Sequence, residues 1–282
     1  MRRISTNAMI LTGDVFRERS SGVSVVGTVG SLWRYPVKSM RGEEMEEVFV
    51  GFSGVYGDRH FAFKSPKRPK GFPYLTGREQ EQMLRYRPGF RHPEKAAKPP
   101  NLESAESLPP GINPVDASPG EMMVDVLTPS GTTLAVDDRG LTDLLNEGVG
   151  EDLTLVRSDR ALTDCRPVSL ISYQTVARIG EELGSDLDHR RFRANIYLDL
   201  DGEGFGENEF VGKSLRVGDK AVVATIERDP RCKMISLDPD TGEHDPRVLR
   251  KVAQAHDNLA GVYCAVLVEG RVRKGDTVEL LD

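Results

Sequence analysis

Arg231-Cys232-Lys233 places one thiol between two cations. Positive charge beside a thiol favours its ionised form, and thiolates are both soft metal ligands and nucleophiles. Beyond a plain buried cysteine, the tripeptide therefore points to three roles: metal ligand, nucleophile or persulfide carrier. Asp229-Pro230 precedes it, and Asp238-Pro239-Asp240-Thr241-Gly242 gives a turn signal after an apolar run. Asp229 reads as a solvent-facing aspartate, with proton donation or hydrogen-bond acceptance beside the thiol as the alternative.

Other cations cluster far away in sequence. Tyr35-Pro36-Val37-Lys38-Ser39 ends an early strand and presents an amine beside a hydroxyl, and Gly57-Asp58-Arg59-His60 sets Arg59 just before another strand. Arg190-Arg191-Phe192-Arg193-Ala194-Asn195 crowds three arginines before a third. A guanidinium fork suits phosphate, whereas a lysine ammonium acts as a point charge. Taken singly, each cluster is a solvated face or an internal ion pair. Several at strand ends beside a thiol suggest a phosphate-bearing ligand that delivers something to Cys232.

The elements that must position these groups are mostly strands. β-branched or alternating runs predict strands over 23–32, 45–50, 60–63, 122–127 and 132–136, the last two joined by a turn at Thr128-Pro129-Ser130-Gly131. Further strands are expected over 195–200, 214–217, 221–226, 232–237, 262–268 and 277–281. Helices are expected after an Asp137 or Asp138 cap, from Ser172 to about Leu183 with Gly184 as the stop, and from Asp245-Pro246 onward. Leu215-Arg216-Val217-Gly218-Asp219 and Val272-Arg273-Lys274-Gly275-Asp276 each set Gly-Asp before an apolar strand, which suggests recurrent turns in a bent sheet. Many short strands with few helices indicate a mainly β fold of barrel type. Residues 87–120 hold eight of the seventeen prolines and predict an irregular insertion or lid that could shape access for a substrate. Residues 1–24 read as a polar tail, and a soft boundary near residue 140 separates a lobe over 25–140 from one over 141–282.

Composition narrows the classes of function. With 38% hydrophobic and 29% charged residues the chain reads as soluble, and no run reaches the roughly 18 apolar residues of a membrane span. A formal charge of −6 argues against nucleic acid as a partner, yet leaves room for a small anion held by local arginines. The 3 cysteines, Cys165, Cys232 and Cys264, lack both disulfide-framework and CxxC metal spacing, so a reducing cytoplasm is the expected setting. Cys264, in an apolar strand, reads as core.

In combination, these motifs resemble the MOSC (molybdenum-cofactor sulfurase C-terminal) domain family. The similarity is to the branch with an N-terminal β-barrel domain that includes the mitochondrial amidoxime-reducing component and bacterial relatives. It rests on Leu32-Trp33-Arg34-Tyr35-Pro36-Val37-Lys38-Ser39, Asp58-Arg59-His60-Phe61 and Leu75-Thr76-Gly77-Arg78. In the second half it rests on Arg191-Phe192-Arg193-Ala194-Asn195-Ile196, Arg231-Cys232, Asp238-Pro239-Asp240-Thr241-Gly242, Gly261-Val262-Tyr263 and Val272-Arg273-Lys274-Gly275-Asp276. The implied fold is α+β, mainly β with a few helices: a MOSC β-barrel with an N-terminal β-barrel-like lobe.

The resemblance implies that Cys232 ligates molybdenum as a permanent ligand, with the flanking cations supporting the thiolate. Lys38, Ser39, Arg59, Arg193 and Asn195 would hold the pterin of the molybdenum cofactor and its phosphate, and Tyr263 would be a further pocket residue. The implied reaction is two-electron reduction of an N-hydroxylated small molecule. Electrons would come from a separate flavin or iron–sulfur protein, because this chain has no cysteine cluster of its own. Pyridoxal phosphate binding also accompanies the family, although no desulfurase domain that would use it is expected here. The alternatives are a sulfur carrier working through a Cys232 persulfide, or a module that binds and transfers the cofactor without turnover. The segment Cys165-Arg166-Pro167 departs from the family pattern where a further cofactor contact is expected.

Overall fold

The computed structural model describes residues 23–107 and 114–281, so the tail expected over 1–24 lies outside it apart from its last two residues. Seven of the eight strands in the largest sheet form a ring: β1 (Ser24–Arg34), β2 (Val168–Ser172), β3 (Ile196–Leu200), β4 (Ser214–Val217), β5 (Ala221–Pro230), β6 (Leu259–Val268) and β7 (Thr277–Leu281); the eighth, Glu43–Met45, pairs with β1 alone. Their order is β3-β2-β6-β5-β4-β7-β1, and pairing of β1 with β3 closes the sheet into a barrel. Only β2 and β3 run parallel. They are joined by the helix Tyr173–Leu183, as a parallel pair requires a crossover.

Side-chain alternation explains the closure. Ile196, Leu198 and Leu200 point into the barrel with Val29, Leu170, Val223, Val262 and Val278, and Cys264 lies among them, wholly buried. The intervening Tyr197 and Ile171 face outward, where the helices Tyr173–Leu183 and Pro246–Ala255 cover them with Val176, Ile179, Val248 and Val252. Both helices begin as their residues dictate. Ser172 accepts from the Thr175 N–H, Asp245 accepts from the Arg247 N–H with Pro246 next to it, and Gly184 stops the first at φ 69°. The two Gly-Asp turns stand side by side at one end of β4 and β7, where Gly218 N–H donates to Thr277 O at 3.0 Å.

A second lobe packs against one end of the barrel. Its core contains Val37, Phe61, Phe63, Leu75, Met83, Met122, Val124 and Leu141. Phe61–Lys64 pairs with Thr154–Arg157, and Arg87–Phe90, Val124–Leu127 and Thr133–Ala135 form a three-stranded sheet. The described residues of the 87–120 stretch are therefore not a loose lid. They supply a strand and two short helices, Pro93–Ala96 and Leu102–Ser107, and Ala96, Leu102 and Ala117 are buried in the lobe core.

One expected strand is absent. Cys232–Leu237 is instead a short 3-10 turn, Lys233–Ser236, with Cys232 at its start. The apolar run Met-Ile-Ser-Leu matches a strand as well as a turn, but Ile235 and its neighbour Ser236 are both buried, so the alternation of a half-buried strand is lost. No helix among the described residues is long and apolar enough to cross a membrane.

Candidate functional site

Between the barrel and the second lobe lies a cleft that is open to solvent. Cys232, Lys38, Ser39, Arg59, Arg193 and Tyr263 all line it, although the first and second of these stand 194 positions apart in the chain. Strand ends deliver them. β1 leads into the turn carrying Lys38 and Ser39, β5 leads into Cys232, and β6 carries Tyr263. Lys38 N–H donates to Phe61 O at 2.8 Å and Arg59 N–H to Tyr35 O at 2.7 Å, so the two turns of the second lobe hold one another.

The backbone is strained where the cleft needs it. Six non-glycine residues among those described have positive φ, and three of them are Ser39 at 64°, Arg59 at 42° and Arg193 at 53°. Left-handed backbone costs a non-glycine residue roughly 1 kcal/mol or more and persists where surrounding packing enforces it, which is common at functional sites. Gly261 meets a related demand. At φ 79°, an added Cβ would lie 2.7 Å from Leu170 O, so only glycine lets β6 approach β2 beside Tyr263.

The cations form one stacked group. The guanidinium carbons of Arg59 and Arg193 stand 4.5 and 4.3 Å from the centre of the Tyr35 ring, and Arg59 Nη2 donates to Arg193 O at 2.9 Å. Burial opposes the charge on Arg59, but Asp58 and Tyr35 outweigh it and hold its pKa above the ordinary value. Arg193 lacks such a carboxylate partner; burial, with Arg59 nearby, pulls it down to about 10. Its Nη2 is buried without a hydrogen-bond partner, as are Nε and Nη1 of Arg191, which also lines the cleft. Lys38, 4% exposed, donates to Leu162 O at 2.8 Å and to Asp164, and burial holds its pKa below the ordinary value. Phe72 and Tyr74 lie 5.1 and 5.2 Å from its ammonium.

Around the thiol, the two flanking cations do not serve it as expected. Arg231 donates to Ala260 O at 2.6 Å and Phe192 O at 3.0 Å and pairs with Asp229 at 2.9 Å. Lys233 points away, to Glu81 at 2.7 Å and Arg78 O at 3.0 Å. Both charges are thus engaged with protein oxygens, although Arg231 Nη2 has only its ion pair with Asp229 and no hydrogen bond. Asp229 is not solvent-facing: it is 2% exposed and accepts a hydrogen bond from Tyr263.

Asn195 is not on the cleft surface. It is buried behind the wall, where its Oδ1 accepts from the Ser169 N–H at 3.2 Å and its Nδ2 reaches Trp33 O at 3.4 Å. Ser169 itself lines the cleft, so Asn195 acts on the wall from behind. Sequence reasoning also missed Asp164, an isolated acid with no motif around it. Arg166 lines the cleft and pairs with Glu227 at 2.9 Å, while Cys165 is exposed with its Sγ 3.3 Å from the same carboxylate. Cys264 is core, and burial pushes its thiol up to about 12. Residues 87–120 contribute no described residue to the cleft lining.

These features define a class: a closed β-barrel with a cationic, thiol-bearing cleft at the ends of its strands. The chain belongs to the MOSC domain family. The MOSC domain profile matches residues 157–279, and the MOSC N-terminal beta barrel domain profile matches residues 26–95. Among solved structures, the chain is similar to the YUAD protein from Bacillus subtilis at 13% identity, with a TM-score of 0.47, over 92% of this chain and 97% of that one. It is also similar to YiiM from Geobacillus stearothermophilus at 19% identity, with a TM-score of 0.33, over 42% of this chain and 55% of that one. YiiM from Escherichia coli aligns at 16% identity, with a TM-score of 0.32, over 42% and 55% of the two chains. No curated protein matches.

Proposed function

We propose that the cleft binds the molybdenum cofactor, with Cys232 as a metal ligand, and that the protein reduces N-hydroxylated small molecules with electrons from a separate flavin or iron–sulfur protein. One observation carries this reading. A half-buried thiol shares a cleft with three buried guanidinium nitrogens, on Arg191 and Arg193, that no protein acceptor satisfies. Buried N–H groups are rarely left unpaired, so such a set fits an anionic ligand. Among the described residues no group of three or more His, Cys, Asp or Glu could hold a metal ion alone. A metal here would thus be held by Cys232 together with ligands that arrive with the cofactor, and a thiolate is a donor suited to that task.

When bound, the cofactor supplies the two-electron redox chemistry. The chain does the rest. Arg191 and Arg193 bind and orient the anionic part, Lys38 and Ser39 close the wall beside Asp164, and Cys232 fixes the metal position. Family membership supports cofactor binding as the general role, and reductase turnover is the finer part of the proposal.

The deciding experiment is the metal and pterin content of protein made in a cofactor-competent host, compared with Cys232→Ala. Wild type is expected to carry molybdenum and to reduce an amidoxime with an artificial electron donor, and Cys232→Ala to lose both. Cofactor-free wild type, equally inactive with and without Cys232, would overturn the reading. Sulfur added to Cys232 by a cysteine desulfurase, seen by mass spectrometry in metal-free protein, would favour a carrier instead.

A further inference from the structure

We propose that Asp229, set between the Tyr263 hydroxyl and the Arg231 guanidinium, is the group that holds protons in the cleft and hands them to the substrate. This inference rests on the reductase reading above. Asp229 lines the cleft, yet it is 2% exposed. Its neighbours come from four places in the chain. Arg231 pairs with it at 2.9 Å, Tyr263 on β6 donates to it, Asp164 faces it from the loop before β2, and Arg59 faces it from the second lobe. Arg231 does not need this carboxylate to stay in position, because Ala260 O and Phe192 O already hold two of its nitrogens at 2.6 and 3.0 Å. A carboxyl buried in a ligand cleft, and not required to anchor its own partner, is free to change protonation state.

The environment agrees with this geometry. Burial pushes the carboxyl up to about 6 and Asp164 adds to the effect, while Arg231, Tyr263 and Arg59 oppose it. Reduction of an N–OH group breaks the N–O bond and consumes two electrons and two protons, giving the N–H product and water. The electrons come from the separate flavin or iron–sulfur donor. Asp229 supplies a proton to the departing oxygen or to the nitrogen and recovers it from solvent, to which the cleft is open. The acid form is present below a pH of about 6 and is lost above it, so the rate should rise as pH falls through that value.

The test compares wild type, Asp229→Asn and Asp229→Glu made in the same cofactor-competent host. Infrared difference spectra of each protein report whether a buried carboxyl gains a proton near pH 6, whatever the cofactor content. Wild type and the Glu variant are expected to show that band, and the Asn variant to lack it. With metal content equal, Asp229→Asn is expected to lose about a hundredfold in amidoxime reduction together with the rise in rate at low pH. Asp229→Glu is expected to regain both, which a merely structural role would not produce. A loaded Asp229→Asn protein that keeps the wild-type rate and pH profile overturns the inference alone. So does a wild-type carboxyl that stays ionised throughout. Protein that takes up no metal overturns the reductase reading, and proton delivery falls with it.

Discussion

Arg34 and Arg193 are both arginines drawn out of water, and the structure treats them in opposite ways. Arg34, 2% exposed, is closed on itself: it pairs with Glu43 at 2.8 Å, donates to Tyr56 O and Ala96 O, and stacks on Phe90 with its guanidinium carbon 4.6 Å from the ring centre. Arg193 stacks on Tyr35 but keeps a buried nitrogen without an acceptor, and Arg191 beside it keeps two. A buried charge with every donor matched holds a fold together. A buried charge with donors left over holds a place for something else.

That contrast can be broken by substitution. Arg34→Met should cost about 3 kcal/mol in denaturant unfolding, because it strands Glu43 and two carbonyls at once. A loss below about 1 kcal/mol would remove Arg34 from the structural side of the comparison. The neighbourhood of Arg34 makes a second prediction. His60, buried against Phe61 and near Phe90, accepts from Arg157 Nε at 3.0 Å, and burial with Arg157 pushes its pKa down to about 4. A histidine depressed in the folded state binds fewer protons there than in the unfolded chain. Its stabilising contribution is therefore present above the unfolded value of 6.5 and is lost as pH falls toward about 4, by about 3 kcal/mol. Unfolding measured across that window should show the slope in wild type and a shallower one in His60→Gln. The smallest change in stability is expected on the other side of the comparison. Arg193→Met should shift unfolding by no more than about 1 kcal/mol in either direction, since a poorly matched charge is replaced by an apolar chain. Under the proposed function, pterin retained by the variant should nevertheless fall roughly tenfold under dilution, the loss of one charged hydrogen-bond partner.

Much of this site was legible in the sequence, for a physical reason. Strand ends followed by Pro, Asp-Arg or Arg-rich turns can be read locally, and Lys38, Ser39, Arg59, Arg193 and Cys232 stand at or beside such positions on the cleft, whereas Tyr263 lies mid-strand in β6 and was reached only through the family resemblance. What sequence order could not reveal was direction. Arg231 and Lys233 flank the thiol in sequence but face other oxygens, and Asp229 turns inward where a charged residue beside proline suggested solvent. Asn195 shares a motif with Arg193 yet lies behind the wall, because Arg193 ends the 3-10 turn His189–Phe192 in left-handed backbone and the chain then heads into β3. The strand Val168–Ser172 was also missed. It is buried along its whole length, so it carries none of the alternation that reveals a half-exposed strand.

β1 closes the barrel by pairing with β3 on one side and β7 on the other, and Ser24 lies opposite Leu280. Synthesis makes the first of these strands some 250 residues before the last. Until residues 277–281 leave the ribosome, β1 has one ladder of backbone groups without its final partner, and the barrel stays open. Contacts this distant in sequence fold slowly, since the intervening chain must be ordered before they form. The strand that leads to Lys38 and Ser39 is thus among the first made and the last locked, so the cleft takes its final shape only when the barrel closes.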